Sequence, residues 1–181
     1  ERAVPDDPLF ARQWHLRNPG GNGLPAGIDL RVLSVWDRLR GAGQVIAVAD
    51  DGLEIRHPDL AANVLPGTDD TGSFDWVDED RDPTPMLPED DHGTACAGTA
   101  AARGFNGLGV SGVAPEASLV GYRFLDVDSD AVEGEVLGNS RSGVFDNRSL
   151  VDIVNSSWGP TDDRHLEGPG PLAQQALEDG I

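Results

Sequence analysis

Hydrophobic positions in this chain fall into short β-branched runs and helically spaced sets, separated by polar stretches rich in Gly and Pro. The clearest run is Val45-Ile46-Ala47-Val48-Ala49, preceded by Gly41 and Gly43 and followed by Asp50, Asp51 and Gly52. Unbroken apolar character of this kind predicts a strand buried on both faces, as in parallel sheets. A further buried strand is expected from Leu150 to Ser156. Leu30, Leu33, Val35, Trp36 and Leu39 recur at helical spacing and predict a helix over Ile28 to Leu39, broken by Gly41. His92 stands at the mouth of a segment of Gly and Ala residues that predicts a helix able to pack closely on a sheet. Helices are further expected from Asp130 and, after Gly168-Pro169-Gly170-Pro171, over Leu172 to Asp179. Residues 134–148, rich in Ser, Asn and Gly, read as a surface loop. The Pro- and Gly-rich residues 1–26 read as an extended arm anchored by Phe10, Trp14 and Leu16.

Chemistry gathers at the end of the first strand. In an open α/β sheet the carboxyl ends of strands carry the site loops, which positions Asp50 for chemistry, although Asp-Gly also simply starts turns. Charge narrows the partners: 32 acidic residues face 13 basic ones, all Arg, for a net −19. That excess disfavours nucleic acid and anionic membrane and favours cations. It is concentrated in residues 69–91, ten carboxylates beside Arg81, with Pro83, Pro85 and Pro88 opposing regular structure. Such a density of hard oxygen ligands suits Ca²⁺, and equally describes a solvated acidic loop. No apolar run approaches the roughly 20 residues of a membrane span. Glu1 reads as a processed or engineered start, and the single Cys96 excludes an intrachain disulfide.

Asp50-Asp51-Gly52 after a strand, His57-Pro58-Asp59-Leu60, and His92-Gly93-Thr94 with Cys96-Ala97-Gly98 occur in order over about fifty residues. Together they resemble the subtilisin-like serine proteases, within them the kexin and furin branch. The resemblance implies a three-layer α/β fold with a mostly parallel central sheet between helices, this chain being the N-terminal portion of the catalytic domain. It implies Asp50 and His92 as two members of an Asp-His-Ser triad, and Ca²⁺ as cofactor. One calcium set would be Asp75, Asp80 and Asp82; another would be Asp7, Asp59 and Asn106, with backbone carbonyls at Arg103, Leu108 and Val110; a third ligand falls at Asp162. Substrate contacts carried over are Asp51, Glu89, Leu125, Glu133, Ser157, Trp158, Gly159 and Glu167, with the acidic members suited to Arg or Lys in a polypeptide. A secreted or extracytoplasmic location and a propeptide or chaperone partner follow from the same likeness.

One part of that pattern is missing. No Gly-Thr-Ser segment and no later oxyanion Asn occurs in these 181 residues. The nucleophile is therefore expected on a remainder of the domain outside this chain. The alternative is a non-catalytic calcium-binding module or an inactive protease fragment.

Overall fold

A computed structural model describes residues 4–21, 23, 25–68, 70–159 and 167–180. Its centre is a four-stranded parallel sheet in the order β2-β3-β1-β6, built from β1 (Val45–Asp50), β2 (Phe74–Asp75), β3 (Ser118–Arg123) and β6 (Ile153–Ser156). Strand β1 lies between β3 and β6, pairing Val45 with Ser118 through Asp50 with Arg123 on one side and Ile46 with Ile153 through Ala49 with Ser156 on the other. With neighbours along both edges, β1 is buried at all six positions, which is why its sequence is apolar throughout rather than alternating.

Its side chains still divide by face. Val45, Ala47 and Ala49 join Phe74, Trp76, Tyr122 and Phe145 together with Val136 of helix α2 (Asp130–Leu137). Ile46 and Val48 face the other way, against Leu53, Leu60 and the Ala97, Ala101 and Ala102 side chains of α1 (His92–Ala101) and its end. Helices thus cover both faces, giving the three expected layers. The small residues of α1 are what bring it so near the sheet. A Cβ on Gly112 would sit 2.5 Å from Ala101 Cα, so even the loop behind the helix approaches at backbone distance.

The arm is held by specific bonds. Gln13 exchanges two hydrogen bonds with the Ser111 backbone, at 2.8 and 2.9 Å, and Trp36 donates to Val113 O at 2.9 Å. Phe10, Leu16, Val32 and Trp36 form a satellite core, with Phe105 edge-on to Trp36. Trp14 does not anchor the arm: it is 61% exposed.

Three further expectations need correction. Residues 28–39 form no α-helix; a 3-10 turn at Val32–Ser34 is followed by turns, because Arg31 adopts a left-handed conformation and only Val32 and Trp36 find buried positions. Strand β6 is not buried: Ile153 is 51% exposed, since among the described residues β6 is an outer strand with one neighbour. Residues 134–148 are not a surface loop. They finish α2 and form the hairpin β4 (Ser140–Arg141) and β5 (Phe145–Asp146), which delivers Phe145 and Asn147 to the interior. Helix α3 (Pro171–Asp179) packs on α2, where Asp130 accepts bonds from the Leu172 and Ala173 amides and so caps α3 from another element.

Asn147 was hidden by its polar sequence context, yet it is fully buried. Its Oδ1 accepts from Gly72 N at 2.9 Å, and its Nδ2 donates to Gly72 O at 2.8 Å and to the Tyr122 hydroxyl at 2.7 Å. Asn147→Ala leaves those groups buried and unpaired, so urea unfolding of the intact protein should show a loss of about 2 to 4 kcal/mol. An unchanged midpoint would remove Asn147 from the stabilising interior.

Candidate active site

Asp50 is the last residue of β1 and His92 the first of α1, so the site lies where a buried strand ends beside a helix beginning. Asp50 is 0% exposed, and its Oδ1 accepts from the Asp51 amide at 2.9 Å and lies 2.8 Å from His92 Nδ1. Its Oδ2 has no hydrogen-bond partner among the described residues. The His92 side chain is 56% exposed, so the ring presents its other side toward solvent. Bonding to Asp50, and Asp50's charge, hold the imidazole pKa above its ordinary 6.5; partial burial opposes this, while Asp51 and Asp91 add to it. A carboxylate without water on one side of a ring and solvent on the other is the arrangement of an oriented general base.

In the sequence Cys96 is only a lone thiol and a motif member. One helical turn after His92, its Sγ lies 3.9 Å from Nδ1 and 3.8 Å from Nε2 of the ring. The signal was present as the i, i+4 spacing on a helix.

The other candidates are distributed as follows. Asp51 accepts from the amides of His92 and Gly93. Trp158, in the turn after β6, donates to Ala49 O at 3.0 Å and packs edge-on against Phe124, which ties the Ser157-Trp158-Gly159 turn to the residue before Asp50. Ser157 Oγ accepts from Asn155 Nδ2, and Gly159 is exposed. Leu125 opens a 3-10 turn after β3 and packs on the core. Glu133 is partly buried on α2, and burial followed by the charges of Asp130 and Asp128 raises its pKa. Glu89 and Glu167 are exposed on the segments leading into α1 and α3. Asp162 lies outside the described residues.

The two proposed calcium sets differ. Asp7 and Asp59 are both buried and come together on the loop 103–111. Asp7 accepts from the amides of Phe105, Asn106 and Gly107 and from the Ser111 hydroxyl. Asp59 accepts from Asn106 Nδ2 at 3.3 Å and from the Val110 amide at 2.7 Å, while its carbonyl takes the Arg103 amide. The Leu108 amide donates to Asn106 Oδ1. Gly109, at φ 45°, is the position where a side chain would collide with the Asp59 carboxylate. Among the described residues neither carboxylate meets a cationic side chain; two buried carboxylates are met by neutral N–H and O–H groups alone, and their oxygens are ligands of the hard kind that suits a divalent cation.

The acidic loop is neutralised differently. Buried Arg123 pairs with Asp75 at 3.0 Å and Asp78 at 2.9 Å, and reaches Asp126 at 3.4 Å. Arg56 pairs with Asp82 at 2.6 Å, and Asp80 is exposed. No calcium candidate belongs to a group of three Asp, Glu, His or Cys side chains with ligand atoms within 4.8 Å among the described residues. Arg123 gave no sequence signal, because a lone Arg after an apolar strand usually marks its exposed end.

Residues 41–180 match the Subtilase family, well over half the chain. The chain belongs to the subtilase family. Among curated proteins this subtilase is 43% identical over 182 positions to the PC3-like endoprotease variant B of Hydra vulgaris, covering 98% of the chain and 24% of that protein. It is 40% identical over 178 residues to kexin of Saccharomyces cerevisiae, covering 97% of the chain and 20% of kexin. Among solved structures, the serine protease of Aeromonas sobria superposes with a TM-score of 0.76 at 34% identity, over 97% of the chain and 29% of that protein. The three-layer fold and the kexin and furin-like affiliation stand on these likenesses. The chain spans about a quarter or less of the length of these curated relatives.

Removing the buried carboxylate should move the ring. Because Asp50 is the main cause of the raised His92 pKa, Asp50→Asn should lower it, read by imidazole NMR titration of the intact protein. The stability that the pair contributes is complete below pH 6.5 and declines as pH rises through the raised folded value, the sign expected when folding raises a histidine pKa. A titration unmoved by the substitution would separate Asp50 from His92.

Proposed function

We propose that this chain supplies the Asp-His half of a calcium-dependent serine endopeptidase of the kexin and furin-like type, cleaving polypeptides after basic residues. The observation that supports it most is the 2.8 Å contact between His92 Nδ1 and fully buried Asp50 at the carboxyl end of the central strand. In this reading His92 takes the proton of a serine hydroxyl as it attacks the scissile carbonyl, and returns it to the leaving amine. Asp50 fixes the tautomer that keeps the outer nitrogen free to accept, and stabilises the imidazolium that forms. This is the triad template, of which subtilisin is itself a worked case. The serine and the oxyanion Asn belong to the remainder of the catalytic domain.

Substrate backbone is proposed to pair along Ser157, Trp158 and Gly159 as an added strand. The bond from Trp158 to Ala49 supports this placement, because it sets that turn beside Asp50. Asp51, Glu89, Glu133 and Glu167 are the proposed acidic contacts for Arg or Lys, and a net charge of −19 favours such substrates at long range. Ca²⁺ is proposed first at Asp7, Asp59 and Asn106, with carbonyls of Arg103, Leu108 and Val110, where it would neutralise two buried carboxylates and fix the arm on the loop. Asp75, Asp80 and Asp82, and separately Asp162, remain proposed ligands by family likeness. No helix among the described residues is long and apolar enough to cross a membrane. A secreted or extracytoplasmic location is proposed with the reading. So is a propeptide or chaperone partner, supported by the Aeromonas sobria protease having been solved in complex with a chaperone.

The test uses the intact source protein and two peptides, one with consecutive Arg or Lys residues and one with acidic residues in their place. Only the basic peptide should be cleaved, and His92→Ala should reduce kcat/KM by about four to six orders of magnitude. Absence of cleavage by the intact wild-type protein would overturn the enzyme reading in favour of a calcium-binding module.

Calcium is tested separately. Chelation should lower Tm, and Asp59→Asn should remove most of that dependence. A Tm indifferent to chelator would overturn the calcium assignment.

A further inference from the structure

We propose that Asp51 is a positioning residue for His92, holding the main chain of the histidine while Asp50 holds its ring. This rests on the protease reading above, and it gives Asp51 a task beyond the recognition of a basic substrate residue.

Helix α1 has no cap of its own. Its Asp91 makes no side-chain capping bond, and no acidic residue falls in the first turn. The cap comes from 41 and 42 residues earlier in the chain: Asp51 Oδ2 accepts from His92 N at 3.1 Å, and Oδ1 accepts from Gly93 N at 2.7 Å. The next residue is held as well, since Thr94 Oγ1 accepts from Glu54 N at 3.0 Å. Three consecutive residues of the first turn are therefore fastened to the segment that leaves β1. A carboxylate here satisfies two otherwise orphaned amides and meets the positive end of the helix.

The geometry tolerates no spacer. A Cβ on Gly93 would lie 2.7 Å from Asp50 Cβ and 3.0 Å from Asp51 Oδ1, and would collide with Gly52 O. Glycine at 93 is what allows the loop to close on the helix. Asp50 and Asp51 are adjacent in sequence and grip opposite parts of one residue, so the ring is referenced to β1 through two routes. Either alone leaves a rotation: a fixed main chain still permits χ rotation, and a bonded ring still permits the helix to slide. Both Asp51 oxygens are already engaged, so a substrate cation meets a carboxylate whose direction is set by the helix.

The groups that act on the ring are the Asp50, Asp51 and Asp91 carboxylates and the neighbouring Cys96 thiol. Asp51→Asn removes the charge and presents an amide where an amide must be accepted, while Asp51→Glu keeps the charge and displaces it. Both variants are to be made in the intact protein. They are assayed with a peptide carrying a second basic residue before the cleavage-site residue and with one carrying Ala there.

The expected result is a fall in kcat of about ten- to a hundredfold for both variants on both peptides, the scale set by a misplaced catalytic group. The downfield NMR proton of the Asp50–His92 bond should weaken in both, and the His92 pKa should fall in Asp51→Asn alone. Variants that raise only KM, and only for the basic peptide, with the downfield proton intact, would overturn the proposal and leave Asp51 a reader of substrate charge. Lowered Tm with kcat and the NMR signals unchanged would overturn it as well, making the cap merely structural. If the wild type cleaves neither peptide, the protease reading fails, and the NMR signals still decide whether Asp51 holds His92.

Discussion

The constraint on which this structure turns is the burial of a carboxylate. Strand β1 is enclosed by strands on both edges and side chains on both faces, so Asp50, at its end, has no access to water. An ionised carboxylate in such a place must be met by donors, and the donors here are the Asp51 amide and the His92 ring. Much of the surrounding architecture serves that meeting. Small residues let α1 approach the sheet, Gly93 lets its first turn touch the loop, and the Asp51 carboxylate holds the helix end in place.

The same physics governs the rest of the negative charge, with two different solutions. In the acidic loop the fold brings in its own cations, with Arg123 reaching out from the end of β3 to Asp75 and Asp78 and Arg56 meeting Asp82. Asp75 also caps the following turn through the amides of Val77 and Asp78, so it is tied to backbone as well as to charge. Around Asp7 and Asp59 no arginine arrives among the described residues, and amide groups of a glycine-rich loop do the work. Dipoles of neutral groups compensate a buried charge less completely than an opposite charge does, which makes this second cluster the place where a cation would contribute most.

Elements distant in sequence are joined by single polar side chains rather than by large apolar areas. Asp130 links α2 to α3, Asn147 links the β4–β5 hairpin to Gly72 and Tyr122, and Trp158 links the turn after β6 to Ala49. Each donates to or accepts from backbone, so each fixes a position and not only a proximity. The turn at Ser157 to Gly159 and the Asp50–His92 pair are thereby parts of one frame.

What the sequence determined by itself is the set of local features with short-range causes. An apolar β-branched run between glycines specified β1 as buried and parallel, a His before small residues specified the start of α1, and ordered motifs specified the family and the pairing of Asp50 with His92. Tertiary structure alone decided which apolar residues are inside. Periodicity over 28–39 was helical in spacing, yet the chain there has only two buried positions to fill, Val32 and Trp36, and settles into 3-10 and turn geometry. The 134–148 segment reads as solvent-facing because it is rich in Ser, Asn and Gly, and the burial of Asn147 depends on partners at Gly72 and Tyr122 that no local pattern encodes. The β6 run reads as buried, and its exposure follows from its having β1 as its one neighbouring strand among the described residues rather than from its composition. That Asp75 meets an arginine was equally beyond local reading, because Arg123 lies 48 residues away and is brought there by the register of β3. Propensity acts over a few residues, whereas burial and charge compensation are settled by whatever the fold carries alongside.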